Sequence, residues 1–112
     1  MKNLSVFVLF LFCLTFTLNG QVTTSGISGK VTAEGELLIG ATVQAVHEPS
    51  GTTYGTVTNA DGRYSLQGMR TGGPYTVEVS YVGFQKAVYK NITLQLGETY
   101  LLDVKLTESL SL

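Results

Sequence analysis

Tyr75-Thr76-Val77-Glu78-Val79-Ser80-Tyr81 decides the fold. In an extended chain Tyr75, Val77, Val79 and Tyr81 share one face and Thr76, Glu78 and Ser80 the other, since successive strand side chains point to opposite sides. The same two-residue period recurs in both directions, and no stretch after residue 21 carries a helical period. Upstream, Gly26 to Ala33 sets Ile27, Gly29, Val31 and Ala33 against Ser28, Lys30 and Thr32. Ala33-Glu34-Gly35-Glu36 turns the chain, and Leu37-Leu38-Ile39-Gly40 leads into a strand with Ala41, Val43 and Ala45 inward and Thr42 and Gln44 outward. Glu48-Pro49-Ser50-Gly51 and Asn59-Ala60-Asp61-Gly62 bracket a strand from Thr52 to Thr58, with Gly62 suited to the positive φ of a hairpin turn. Arg63 to Gln67 follows with Tyr64 and Leu66 inward, and Thr71-Gly72-Gly73-Pro74 turns into the opening stretch. Downstream, Val82-Gly83 turns into a sixth strand over about Phe84 to Leu94, and Gly97 punctuates. A seventh strand sets Tyr100, Leu102, Val104 and Leu106 opposite Leu101, Asp103, Lys105 and Thr107.

Seven short strands, each with one apolar face, predict an all-β fold: a seven-stranded antiparallel β-sandwich, prealbumin-like or Ig-like, in which two sheets cover each other. The 112 residues suffice for one domain, and 44% hydrophobic with 13% charged residues supports a modest core. A formal net charge of −1 argues against a nucleic-acid binder, which needs a basic stripe to neutralise phosphates. One Cys and one His build neither an internal disulfide nor a zinc site of ordinary ligand count.

Residues 1–20 read as a secretory signal peptide. Lys2 precedes an apolar stretch from Leu4 to Leu18, and small polar residues Asn19-Gly20-Gln21 follow. Cleavage is placed after Gly20, with a cut after Gln21 as the alternative. The apolar run is shorter than the roughly 20 residues a membrane span needs, so no transmembrane segment is expected in the mature chain. Cys13 sits inside the greasy core after Leu11-Phe12, not behind the small residues of a lipoprotein site, so the processed chain has no cysteine. From Gln21 it carries six Lys and Arg against eight Asp and Glu, a net −2. Residues 21–25 are expected as a linker, 26–107 as the domain and 108–112 as a disordered tail.

Chemistry signals are sparse. Asn59-x-Asp61-Gly62 would put Val57 and Gly68 at the first and twelfth ligand positions of an EF-hand loop, where neither side chain binds calcium, so the segment reads as a turn. His47, beside Glu48 at a strand end, reads as a surface or turn residue. Lys30, Asn91 and Glu78 have the types of an isopeptide crosslink, but alternation points Lys30 and Glu78 to solvent. No nucleophile, base and orienting group assemble, so neither an enzyme nor a cofactor is expected.

Ile27-Ser28-Gly29-Lys30-Val31-Thr32, Leu38-Ile39-Gly40-Ala41-Thr42-Val43, Thr56-Val57-Thr58-Asn59-Ala60-Asp61-Gly62-Arg63-Tyr64-Ser65-Leu66 and the run from Tyr75 to Phe84 together resemble the carboxypeptidase regulatory-like domain, a transthyretin-like or carbohydrate-binding-like sandwich. The resemblance covers Ile27 to Leu106. Within the family the chain is similar to the copy at the N-terminus of Bacteroidota TonB-dependent outer-membrane receptors, the Oar-like ones included. Two segments carry that similarity, Ala45 to Thr52 and Gly68 to Tyr75. The resemblance implies a non-catalytic periplasmic interaction or regulatory domain at the outer membrane. Its partners would be a receptor's plug and barrel or other periplasmic proteins. Such receptors continue into segments beyond Leu112, so transport is not carried over to these residues; a fragment, a truncated frame and a free-standing domain stay open. The family label also raises a secreted glycan-binding domain acting alone. Sugar faces stack on exposed flat rings; there is no Trp, and alternation offers Tyr89, set against Val88 and Lys90, and Tyr54 beside Gly55. The same tyrosines also read as half-buried sandwich residues with wet hydroxyls.

Overall fold

A computed structural model describes residues 23–109. Within them the chain forms β1 (Ser25–Ala33), β2 (Glu36–Leu37), β3 (Thr42–His47), β4 (Thr52–Val57), β5 (Arg63–Met69), β6 (Gly72–Ser80), β7 (Ala87–Leu94), β8 (Thr99–Leu101) and β9 (Val104–Lys105). The signal-peptide reading of residues 1–20 lies outside the described residues. β3 lies between β4 and β6, and β7 flanks β6, giving a four-stranded antiparallel sheet. The other sheet is built on β1. β5 and β2 pair with it antiparallel, and β8 and β9 pair with it parallel.

The sandwich stands, with two corrections to its strands. It has nine strands where seven were expected, and it is mixed where antiparallel was expected. The seventh strand divides at Leu102-Asp103 because Asp103 Oδ1, not a main-chain carbonyl, accepts the Lys30 N–H at 3.0 Å. Its halves run parallel to β1, and alternation fixes only the face of a strand, not its direction. The turn expected at Thr71-Gly72-Gly73-Pro74 also shortens. Gly72 already pairs with Leu94 across an irregular register, which accommodates a proline that has no N–H to give the ladder.

The core is the meeting of the two inner faces. Ile27 and Val31 from β1, Val43 from β3, Met69 from β5, Tyr75, Val77 and Val79 from β6, Leu94 from β7 and Val104 from β9 are fully buried. The stretch that opened the sequence reading is therefore the middle of the four-stranded sheet. At about 25 cal/mol per Å² of apolar surface, this burial is the main favourable term in folding.

Both ends differ from expectation. Ser25, assigned to a linker, opens β1, and its hydroxyl bonds the Gln95 carbonyl at 2.5 Å and lies 3.1 Å from Thr71 Oγ1. Glu108, placed in a disordered tail, bridges to Phe84, and Ser109 N–H donates to Gly83 at 3.0 Å. Pairing to the β6–β7 turn carries order past Leu106. Residues 110–112 lie outside the described residues.

Candidate functional site

The two sheets meet at a seam between β4, the outer strand of one, and β5, the outer strand of the other. The turn between them is held by Asn59. Its Oδ1 accepts the N–H groups of Asp61 (2.9 Å) and Arg63 (3.1 Å), and its own N–H and C=O pair with Arg63 and Gly62. The turn reading of this segment thus holds for Asn59. Asn59→Ala should lower stability by about 1 kcal/mol, because both N–H groups fall back on water. A urea unfolding midpoint checks this.

No ladder joins β4 to β5. Thr58 N–H donates to Ala41, so by antiparallel alternation Thr52, Tyr54 and Thr56 bond β3, while the main-chain groups of Thr53, Gly55 and Val57 face the seam. On the other side Gly62 C=O accepts from Val31, which directs Tyr64 and Leu66 to β1. Ser65 then turns its main-chain groups to the seam. A groove of about 400 Å³ opens here, lined by residues that include Ser28, Val57, Asn59, Arg63, Ser65 and Leu101. Val57 and Leu101 are 58% and 69% exposed, which gives the groove apolar as well as polar lining.

The tyrosines behind the groove are structural. Tyr64 is buried and its hydroxyl donates to the Leu102 carbonyl at 2.5 Å. Burial, with the Asp103 and Tyr89 charges behind it, pushes its pKa well above the ordinary value. Tyr75 is fully buried and donates to the Arg70 carbonyl at 2.7 Å.

Tyr89 and Tyr54 sit on the core side. Tyr54 is half-buried, its ring 6.3 Å from Tyr75 and its hydroxyl accepting the Arg70 N–H at 3.2 Å. Tyr89 pairs with Val77, is half-buried against the core, and leaves Val88 and Lys90 to face outward. Of the two readings of Tyr89, exposed platform and half-buried sandwich residue, the structure has the second, and a bulge sets its face. Asn91, at φ 61°, is an extra residue between the Tyr75–Ile92 and Val77–Tyr89 pairs, so the phase that buries Ile92 and Leu94 flips before Tyr89.

His47 is also corrected, from surface to interior. It is 9% exposed, stands edge-on to Tyr75 at 5.0 Å and bonds Ser50 Oγ through Nδ1 at 2.6 Å. The alternation of Ala41, Val43 and Ala45 continues to it, so the signal was present. Lys30 and Asn91 are exposed, and Glu78 pairs with Lys86 at 3.7 Å, so the three are not gathered in a dry interior. Among the described residues no three His, Cys, Asp or Glu cluster as metal ligands would.

The fold and seam define a class: small two-sheet sandwiches with one sheet crossed by parallel terminal strands. The family model of the carboxypeptidase regulatory-like domain matches residues 26–107, and the chain belongs to that family. No curated protein matches it. Among solved structures it is similar to a chain of a type II cohesin–X-dockerin complex from Acetivibrio cellulolyticus, with 18% identity, TM-score 0.60, and coverage of 75% of this chain and 58% of that one. It is also similar to the Bacillus anthracis TIE protein, with 23% identity, TM-score 0.63, and coverage of 77% and 17%. A third likeness is to catechol 1,2-dioxygenase from Pseudomonas arvilla C-1, with 14% identity, TM-score 0.62, and coverage of 83% and 55%. The chain thus spans less than two thirds of these chains, and at such identities the likeness is one of fold.

Proposed function

We propose that this is an exported, non-catalytic docking domain of the periplasm. In this reading it is the N-terminal extension, or a piece, of a TonB-dependent outer-membrane receptor involved in nutrient uptake, and it regulates that receptor by holding a partner segment. The observation that carries the docking role is the open edge of β4. It runs six residues in unbroken register with β3 and contains no charge, proline or bulge. Exposed strands are ordinarily blunted by such devices. β7 has them, with Lys90 and the Asn91 bulge, while β2 and β8 are two and three residues long. An extended segment adding to β4 would gain main-chain hydrogen bonds from Thr53, Gly55 and Val57.

Gly55→Pro tests this. Its N–H faces the seam, so proline removes a docking donor and no bond to β3. The variant should hold its melting temperature within a few degrees and capture a receptor's plug and barrel at least about tenfold less well, a main-chain bond or two having gone. In a full-length receptor, removal of residues 22–106 should impair uptake with barrel insertion intact; unchanged uptake counts against a regulatory role.

A further inference from the structure

We propose that the seam groove selects an acidic segment: the extended peptide that adds to β4 carries Asp or Glu opposite Arg63. This rests on the docking reading and names the partner's chemistry. The argument is an inventory of donors and acceptors. Asn59 Oδ1 is occupied by two main-chain N–H groups, so its amide presents only N–H₂ to the groove. Ser65 Oγ accepts from Gln67 Nε2 at 2.7 Å, which leaves its hydroxyl proton to donate outward. Arg63 is donor-only and exposed. No carboxylate lines the groove.

Charge agrees with this inventory. Arg63 stands directly across the ladder from Lys30, both on the outer face of the β1 sheet. Like charges so placed repel. Among the described residues the ion pair is Lys86 with Glu78, far from this pair in the sheet order, and Asp103 spends an oxygen on the Lys30 main chain. An arriving carboxylate would relieve the repulsion and take a forked pair of bonds from the guanidinium. A peptide fits better than a saccharide here. Ser65 on one side of the seam, and Thr53, Gly55 and Val57 on the other, offer main-chain groups that an extended backbone satisfies. Exposed Val57 and Leu101 suit the apolar residues that flank the acid.

The test is an array of random octapeptides probed with the full chain. Bound sequences should be enriched in Asp and Glu, and replacing those with Asn and Gln should weaken binding by about tenfold or more, the worth of a charge-assisted pair. Arg63→Gln should abolish the enrichment, Arg63→Lys should restore part of it, and Lys90→Gln on β7 should change nothing. If amide peptides bind as well as acidic ones and Gly55→Pro still abolishes capture, the charge selection is wrong and docking survives. If acidic peptides depend on Arg63 but not on Gly55, strand addition fails and the anion site survives. If polyuronate binds through Arg63 while no peptide does, or if nothing binds, the proposal is overturned.

Discussion

Gly29→Ala should cost about 3 kcal/mol or more, although it adds a single methyl group. Gly29 lies on the inner face of β1 and is buried. A Cβ built there would overlap the carbonyl oxygen of Leu102, which is main chain and has no rotamer to retreat into. That carbonyl accepts the Tyr64 hydroxyl at 2.5 Å, and the same residue's N–H donates to Ser28 C=O at 2.8 Å. Making room for the methyl therefore pushes the β8–β9 link off β1 and disturbs both of these hydrogen bonds together. The control is Gly55→Ala, where the new Cβ would meet only the Val43 carbonyl at 3.8 Å. That change should lie within about 0.5 kcal/mol, or stabilise slightly by restricting the unfolded chain. Urea midpoints for both variants decide the point, and equal costs would show that the β1–Leu102 approach is not tight.

That close approach is also where the sequence ceased to be readable. Gly29 alternates in phase with Ile27 and Val31, so its inward direction was legible. The residue that comes near enough to exclude a side chain, Leu102, joins two strands far downstream in the chain that run parallel to β1. A period of two assigns faces to residues but carries no partner and no direction. The inward positions of β3, of β6 and of β1 from Ile27 onward follow from it directly, because each keeps one phase, as β5 does only as far as Leu66, an extra residue then burying Met69. β7 does not. Asn91 inserts one residue, so the phase of Ile92 and Leu94 does not carry through to Tyr89, and alternation alone leaves the exposed and half-buried readings of that ring undecided. His47 departs for another reason: its polarity points to the surface while its phase, shared with Val43 and Ala45, places it inside.

The groove was less legible than the core. Asn59, Arg63 and Ser65 were each visible in the sequence as turn or strand residues, but their joint character depends on which of their atoms are already occupied. Asn59 Oδ1 already accepts two bonds from the turn, and Ser65 Oγ accepts one from Gln67, which leaves its proton free to donate. Such occupancy is a property of the folded chain. The open edge of β4 likewise follows from sheet order, which brings β4 to an outer position beside a strand of the other sheet.

Tyr75→Ala should be the most damaging side-chain truncation, at about 3–5 kcal/mol, a large share of the 5–15 kcal/mol available to a small domain. Tyr75 is fully buried, with His47 edge-on at 5.0 Å and Tyr54 at 6.3 Å, so its removal leaves a cavity among rings that cannot collapse together. Tyr75→Phe keeps the ring and loses the bond to the Arg70 carbonyl, for about 1 kcal/mol near neutral pH. The two variants separate at high pH. Burial first, then the neighbouring Tyr54, pushes the Tyr75 phenol up to about 12, with Arg70 opposing. The unfolded phenol titrates near about 10, so the folded state holds this proton more tightly. Its contribution is whole below the unfolded value and drains away as pH rises toward the folded one. Wild-type stability should fall between about pH 10 and 12. Tyr75→Phe should fall less steeply there, and Tyr64→Phe should act in the same direction because burial raises that phenol as well. Guanidinium unfolding across this range, with the phenolate absorbance followed in parallel, reads both effects. Identical slopes for wild type and Tyr75→Phe would mean that the buried phenol ionises no less readily than a solvated one, and the packing assigned to His47, Tyr54 and Tyr75 would fall with it.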